Sequence, residues 1–522
     1  MNAVSNHGAA HVADSGINRP MITISIMLAT IIYALDSTIA NVALPHMQGS
    51  LSAHQDQIVW VLTSYIVASA IATPLNGWLC DRFGLKNVFL VSITGFTVAS
   101  ALCGLSGSLF EIVAARLLQG LFGAGLVPLS QAVLLDINPR EKQGSAMAVW
   151  GLGVMVGPIL GPTLGGWLTE NYDWRWVFFI NVPIGALAYL GIWKYIRNDG
   201  AARKMDFDAF GFLTLSLAIG ALQMLLDRGQ QNDWFSSAET WIEASLLVVG
   251  LTYFIAHTLM TPARKSFFDY RLLKDRNFIT SLFFSFLLGM VLFASRALLP
   301  TMLQNLLGYS AALTGYVTAP SGVGTMIAML FVGRLVGRVD LRFLLFAGFS
   351  LTAFSIWQMC GYSLYLTQAD IVWPSILQGI GLGLIFVPLS AAAFATLPAD
   401  MRPQGTAIYS LIRNIGSGIG ISMVQTLLVR NTQEAHAALV EHINLANPAF
   451  QDAPFAAAYN VANTASMAAL DGEITRQAAM IAYLDDFWLM LILTLLVLPL
   501  LLLIRPSRKK SVPAEVEHVG LE

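Results

Sequence analysis

Fourteen stretches of mostly apolar residues recur along this chain, from Met21–Leu44 to Phe487–Ile504, each close to the length that crosses a bilayer as a helix. A bilayer core offers the backbone no water, so a chain divided in this way must form helices that satisfy their own amides. Composition agrees: 56% of the residues are hydrophobic and only 11% are charged, too few to cover a soluble globule of 522 residues. The sequence predicts an all-α integral membrane protein with 14 transmembrane helices. The seventh stretch, Phe210–Leu226, is the weakest of them, being short and bounded by Asp208 and Asp227.

Lys and Arg accumulate on the cytoplasmic side of membrane proteins. With the N-terminus inside, 22 of the 29 basic residues fall in cytoplasmic segments and 4 in outer ones, leaving Arg116, Arg296 and Arg413 within the membrane. One missed helix would invert every later loop and spoil that bias, so it favours the even count and cytoplasmic N- and C-termini. Residues 1–20 lack the basic start and cleavage site of a signal peptide and read as a disordered cytoplasmic N-terminus. Residues 506–522 read as a cytoplasmic tail. A net charge of −2 gives no footing for nucleic acid. Cys80, Cys103 and Cys360 have no metal-ligand spacing, so neither a metal nor another cofactor is expected.

An internal repeat organises the chain. Gln119-Gly120, Val127-Pro128-Leu129-Ser130 and Gln143-Gly144 return as Gln378-Gly379, Val387-Pro388-Leu389-Ser390 and Gln404-Gly405, while Pro45 and Met47 answer to Pro300 and Met302. The offset grows only from 255 to 261 residues. Two six-helix bundles follow, 21–200 and 266–505, with a two-helix hairpin at 201–265 between them and an outer, periplasmic loop at 430–486 inside the second. Parallel six-helix repeats with a site between them near the midplane are a transporter plan.

The charges inside the apolar stretches carry the chemistry. A buried charge costs several kcal/mol at membrane depth, so Asp36 and Arg116 are functional candidates by default. At 1.5 Å per residue, Asp36 lies about 12 Å inward from Leu44 and Arg116 about 10 Å inward from Leu109, both from outward-facing ends. They share a level, and Gln119 and Gly120 share a helix face with Arg116. The alternative is a purely structural ion pair; against it, the repeat has Ser375 where Arg116 stands. Arg413 and Tyr33 are further candidates for a substrate pathway, whereas Arg296 is read as snorkelling. Glu111 and Asp136 are read as solvated helix ends, and His257 as a packing residue. No GxxxxGK[ST], HExxH or GxSxG sequence occurs, so neither nucleotide-driven transport nor a membrane hydrolase is expected.

Several segments resemble the major facilitator superfamily, and within it the fourteen-helix drug:proton antiporters. Gly77-Trp-Leu-Cys-Asp81-Arg82-Phe-Gly84-Leu-Lys86 is similar to the superfamily's signature between helices 2 and 3, where two glycines allow a tight turn and the charges form a latch. Leu35-Asp36-Ser-Thr-Ile-Ala-Asn41 resembles the helix 1 signature, and Arg116-Leu-Leu-Gln119-Gly120 that of helix 4. Gly153-Val-Met-Val-Gly157-Pro158-Ile-Leu-Gly161-Pro162-Thr-Leu-Gly165 resembles the antiporter motif of helix 5, with glycines every fourth residue making a smooth packing ridge. Trp176 to Gly185 and Leu222 to Phe235 are similar to the Emr-type multidrug exporters in particular.

The resemblance implies a proton-driven multidrug efflux antiporter of the bacterial inner membrane. It would cycle by alternating access, with Asp36 and Arg116 coupling protons and Tyr33, Asn41, Gln119 and Arg413 as candidates along the substrate path. The resemblance does not name the cargo, but apart from Asp36 the deep charges are arginines, which favours hydrophobic, neutral or anionic compounds over lipophilic cations. It also implies a periplasmic membrane-fusion adaptor and an outer-membrane channel as partners, besides membrane lipid. Alternatives are an exporter of one metabolite or fatty acid, and a non-transporting sensor. Within the outer loop, Ile474 to Tyr483 reads as a short amphipathic helix.

Overall fold

The computed structural model describes residues 18–139, 142–197, 207–262, 269–336, 338–398, 401–443, 459 and 463–503. Among them no strand forms, and the one extended pairing is a single bridge between Val336 and Val339. The expected N-terminal disorder at 1–17, the tail at 506–522 and residues 444–458 and 460–462 of the outer loop lie outside the described residues.

In the N-terminal half the helices are α1 (Arg19–Ser50), α2 (Trp60–Ala72), α3 (Leu75–Phe83), α4 (Leu85–Leu105), α5 (Leu109–Gly123), α6 (Leu126–Ile137), α7 (Gln143–Asn171) and α8 (Asn181–Tyr195). A hairpin of α9 (Ala209–Arg228) and α10 (Ala238–Met260) follows. The C-terminal half contains α11 (Arg276–Asn305), α12 (Ala311–Leu335), α13 (Leu341–Met359), α14 (Gln368–Ala395), α15 (Arg402–Val440) and α16 (Thr464–Leu500). Their starts are written in polar side chains that accept the first free amides. Ser108 accepts from the Glu111 amide, Asp208 from Gly211, Asp275 from Phe278 and Ser310 from Leu313.

Twelve described helices or joined helices are long and apolar enough to cross a membrane. Two of the fourteen expected stretches are not among them. The second is divided between α2 and α3, where Pro74 has no amide to continue the ladder. The thirteenth lies inside α15, whose apolar run is interrupted by Arg413 and Asn414.

Among its described residues the outer loop is largely helical. α15 runs on to Val440 and α16 begins at Thr464, so the short helix expected at 474–483 is an interior piece of a 37-residue helix.

Within the N-terminal half α1 packs on α7 and α8, and α2 and α4 pack on α5; within the other, α12 and α13 pack on α14, and α11 and α16 on α15. The halves meet through α7 with α12 and α14, and through α3 and α6 with α15. The hairpin attaches through α9, which touches both α2 and α15.

Candidate functional site

The glycine ridge of α7 fixes α1 against it. An added Cβ would overlap the Ala34 carbonyl at Gly157 and the Thr38 hydroxyl at Gly161, and would lie 2.8 Å from Ile39 Cγ1 at Gly165 and 3.4 Å from Met27 Cε at Gly153. Thr38 Oγ1 donates to the Gly157 carbonyl at 3.0 Å. α7 is continuous through Pro158 and Pro162, whose side chains lie outside the described set. This contact brackets Asp36, so the ridge sets where its carboxylate stands.

Asp36 is 0% exposed and Arg116 1%. Arg116 Nη1 donates to Asp36 Oδ2 at 2.7 Å, and the expected pairing of helices 1 and 4 is present. Asp36 Oδ1 accepts from Gln119 Nε2 at 2.8 Å and from Asn181 Nδ2 at 3.0 Å. Arg116 also donates to the Val61 carbonyl at 3.0 Å and to Gln119 Oε1 at 2.8 Å, with the Tyr65 ring 4.2 Å from its Cζ. Removing water from both charges is offset by this network, in which Asp36 accepts three hydrogen bonds and Arg116 donates three. Asn181 was not singled out as a site residue from sequence. It opens α8 within a run already distinctive in sequence, and its amide also reaches Ser100 Oγ at 3.0 Å.

Beside this pair lies a cavity of about 920 Å³ between the halves. Tyr33, Asn41, Arg116 and Arg413 line it as expected, but Gln119 does not: it is fully buried against Asp36, and so serves the ion pair rather than the path. Arg296 also lines the cavity instead of reaching for the membrane surface. Among the described residues neither Arg296 nor Arg413 has a hydrogen bond or ion pair; Arg413 lies 5.7 Å over the Phe386 ring. Trp150 of α7 stacks on Phe386 of α14 at 5.9 Å, joining the halves at one end of the cavity. The α9 helix supplies Gln223, Leu226 and Asp227 to the wall, which sequence reasoning missed because the stretch is short and ends in charge.

Toward the end that carries the basic loops, the halves touch. A Cβ on Gly77 would lie 3.1 Å from Gln404, and one on Gly333 2.7 Å from Ala148 Cβ. Gly84 takes φ +81°, the glycine turn expected of this motif. Lys86, however, donates to the Trp193 carbonyl at 2.7 Å, within its own half. A polar contact that does cross between the halves is Arg402 Nη1 with the Asp136 carboxylate at 2.8 Å, so Asp136 is not simply a solvated helix end. His257 likewise has a partner, Asp208 at 2.8 Å. Asp81 and Arg82 sit half-buried near the same turn.

The chain matches the family model described as Major Facilitator Superfamily over residues 26–421. It belongs to that superfamily. Among its relatives, the fatty acid resistance protein FarB of Neisseria gonorrhoeae is 34% identical over 93% of this chain and 96% of FarB. The multidrug export protein EmrB of Escherichia coli K12 is 35% identical over 91% of this chain and 93% of EmrB. The superfamily member thus falls with the Emr-type multidrug exporters and is an efflux transporter rather than an enzyme. The fold is shared with the proton:xylose symporter XylE at TM-score 0.60, 11% identity and coverage of 94% of this chain and 96% of XylE. The human organic anion transporter MFSD10 gives 0.59, 14%, 92% and 100%.

Proposed function

We propose that this multi-pass membrane protein is a proton-driven antiporter that exports hydrophobic, neutral or anionic compounds by alternating access. The observation that carries this reading is a fully buried Asp36–Arg116 pair beside a cavity holding two arginines without counter-ions. Asp36 takes up a proton when Arg116 is drawn away by substrate or by rearrangement of the halves, and gives it up on re-pairing. A proton crossing about one pH unit and 100 mV releases roughly 3.7 kcal/mol, enough for about 500-fold accumulation of a neutral compound.

The reading includes 14 transmembrane helices in a 6+2+6 order, cytoplasmic termini, and residence in the bacterial inner membrane. The bundles are 21–200 and 266–505, with the hairpin at 201–265. The cavity is then open toward the outer side, since its lining reaches Pro45, Gln304 and Thr314 near the outer helix ends while Gly77 on Gln404 and Arg402 on Asp136 close the basic end. The similarity to FarB favours amphiphilic acids among the substrates and leaves a fatty acid exporter as the second reading.

Everted vesicles carrying the protein should release protons when substrate is added, and export that persists after the gradient is collapsed overturns the proposal. Asp36→Asn should bind substrate without uphill export. If the double neutral variant of Asp36 and Arg116 pumps uphill at a normal rate, the coupling site lies elsewhere. We infer also a periplasmic adaptor and an outer-membrane channel as partners. Deleting 444–464 should then leave insertion intact and lower whole-cell resistance.

A further inference from the structure

The cavity holds both signs of charge, and they come from different walls. Asp227 sits one residue before the end of α9, and its Oδ2 accepts from the Thr63 hydroxyl of α2. Its other oxygen has no hydrogen bond among the described residues. The neighbouring cation is engaged elsewhere, for Arg228 pairs with Glu239 and lies 5.3 Å over the Trp60 ring. Asp227 therefore faces the cavity as a carboxylate without an ion-pair partner. On α11 and α15, Arg296 and Arg413 line the same cavity without a hydrogen bond or ion pair among the described residues.

Depth places these groups usefully. At 1.5 Å per residue Asp227 lies about 27 Å along α9 and Arg296 about 30 Å along α11, both measured from the basic-loop end, while Arg413 lies about 17 Å along α15. One anion and one cation thus share the outer level, with a second cation deeper. Gln223, one turn inward from Asp227, adds an amide to the same wall. Charges facing a partly dehydrated cavity without counter-ions are costly unless a ligand supplies them.

We propose that Asp227 is a cation-accepting subsite of the transport cavity, so that the pump takes zwitterionic amphiphiles whose ammonium meets Asp227 and whose acid meets an arginine. This rests on the antiport reading above and adds a substrate class to it. The inserted hairpin is then a determinant of specificity, since it alone brings an unpaired carboxylate to the described cavity wall.

The test uses the full-length protein in proteoliposomes under an imposed pH gradient, with two probes of matched tail below their micelle concentrations: dodecanoate and N-dodecyl-N,N-dimethylglycine. Substrate-induced proton movement should occur with both. In Asp227→Asn the ratio of the zwitterion response to the dodecanoate response should fall at least tenfold, and Asp227→Glu should restore it. Equal loss of both responses in Asp227→Asn, or an unchanged ratio, overturns the subsite. A wild-type response to dodecanoate without one to the zwitterion does the same while sparing the antiport reading. Silence toward both probes overturns that reading, and the subsite with it.

Discussion

Arg402 reaches across the seam between the two halves, donating to the Asp136 carboxylate at 2.8 Å and to the Leu135 carbonyl at 3.1 Å. Leu135 also accepts from Gln143 at 3.0 Å, so a single helix end is gripped from both halves at once. The grip sits at the closed end of the cavity, where separating the halves must break it.

Arg402→Ala should therefore loosen that end. Asp136 is 41% exposed, so the pair alone stabilises by no more than about 1 kcal/mol, and the carbonyl bond adds about as much. A change of roughly 1.4 kcal/mol shifts a conformational ratio tenfold. A cysteine placed at Gln404, which packs on Gly77, should react several-fold faster with an impermeant maleimide in everted vesicles when Arg402 is removed.

The glycine ridge makes a sharper contrast. Gly157→Ala drives a methyl into the Ala34 backbone, a strain of about 1–3 kcal/mol that shifts α1 and the carboxylate it carries. Gly166→Ala meets nothing nearer than Val42 Cγ1 at 3.9 Å. Thermal unfolding of purified protein should fall by several degrees in the first and scarcely move in the second, and transport should follow.

Asn181→Leu removes one of the two donors to Asp36 Oδ1 and leaves Ser100 without its amide. A hydrogen bond to a charged group contributes about 1.5–3 kcal/mol, enough to weaken the hold on this carboxylate tenfold or more. Uphill accumulation at a fixed gradient should drop at least tenfold while downhill substrate flux persists.

Arg413→Gln should discriminate among cargoes. Its guanidinium lines the cavity 5.7 Å over the Phe386 ring, and among the described residues it has no hydrogen bond or ion pair to abandon. Transport of an anionic probe should weaken about tenfold relative to a neutral one of the same tail, as expected for a lost charge-assisted contact. Equal effects on both would assign Arg413 to packing.

Charge inside an apolar stretch is legible from sequence because its cost is independent of how helices pack, and so Asp36 and Arg116 stood out together. Their companions were harder. Asn181 touches Asp36 only because α1 and α8 adjoin, and no periodicity reports which helices are neighbours. Gln119 was placed on the correct face, but its face turns to the ion pair and not to the cavity. Arg402 and Asp136 lie 266 residues apart in different halves, and no local pattern pairs them. The helical extensions beyond 428 and before 487, apart from the short helix at 474–483, read as loop in sequence because they are polar, whereas their Ala, Gln and Glu are good helix formers in water.

The placement of α9 has an effect on traffic through the bilayer. Two six-helix halves leave two lateral seams, and here α9 lies over the one between α2 and α15, with Ile219 packed among Ala70 and Leu411. A compound dissolved in the lipid meets a wall on that flank. The opposite flank is closed from within, by α7 packed directly on α12, where Gly151 meets Met329 and Gly322 meets Ile159, so the two seams are shut by different means.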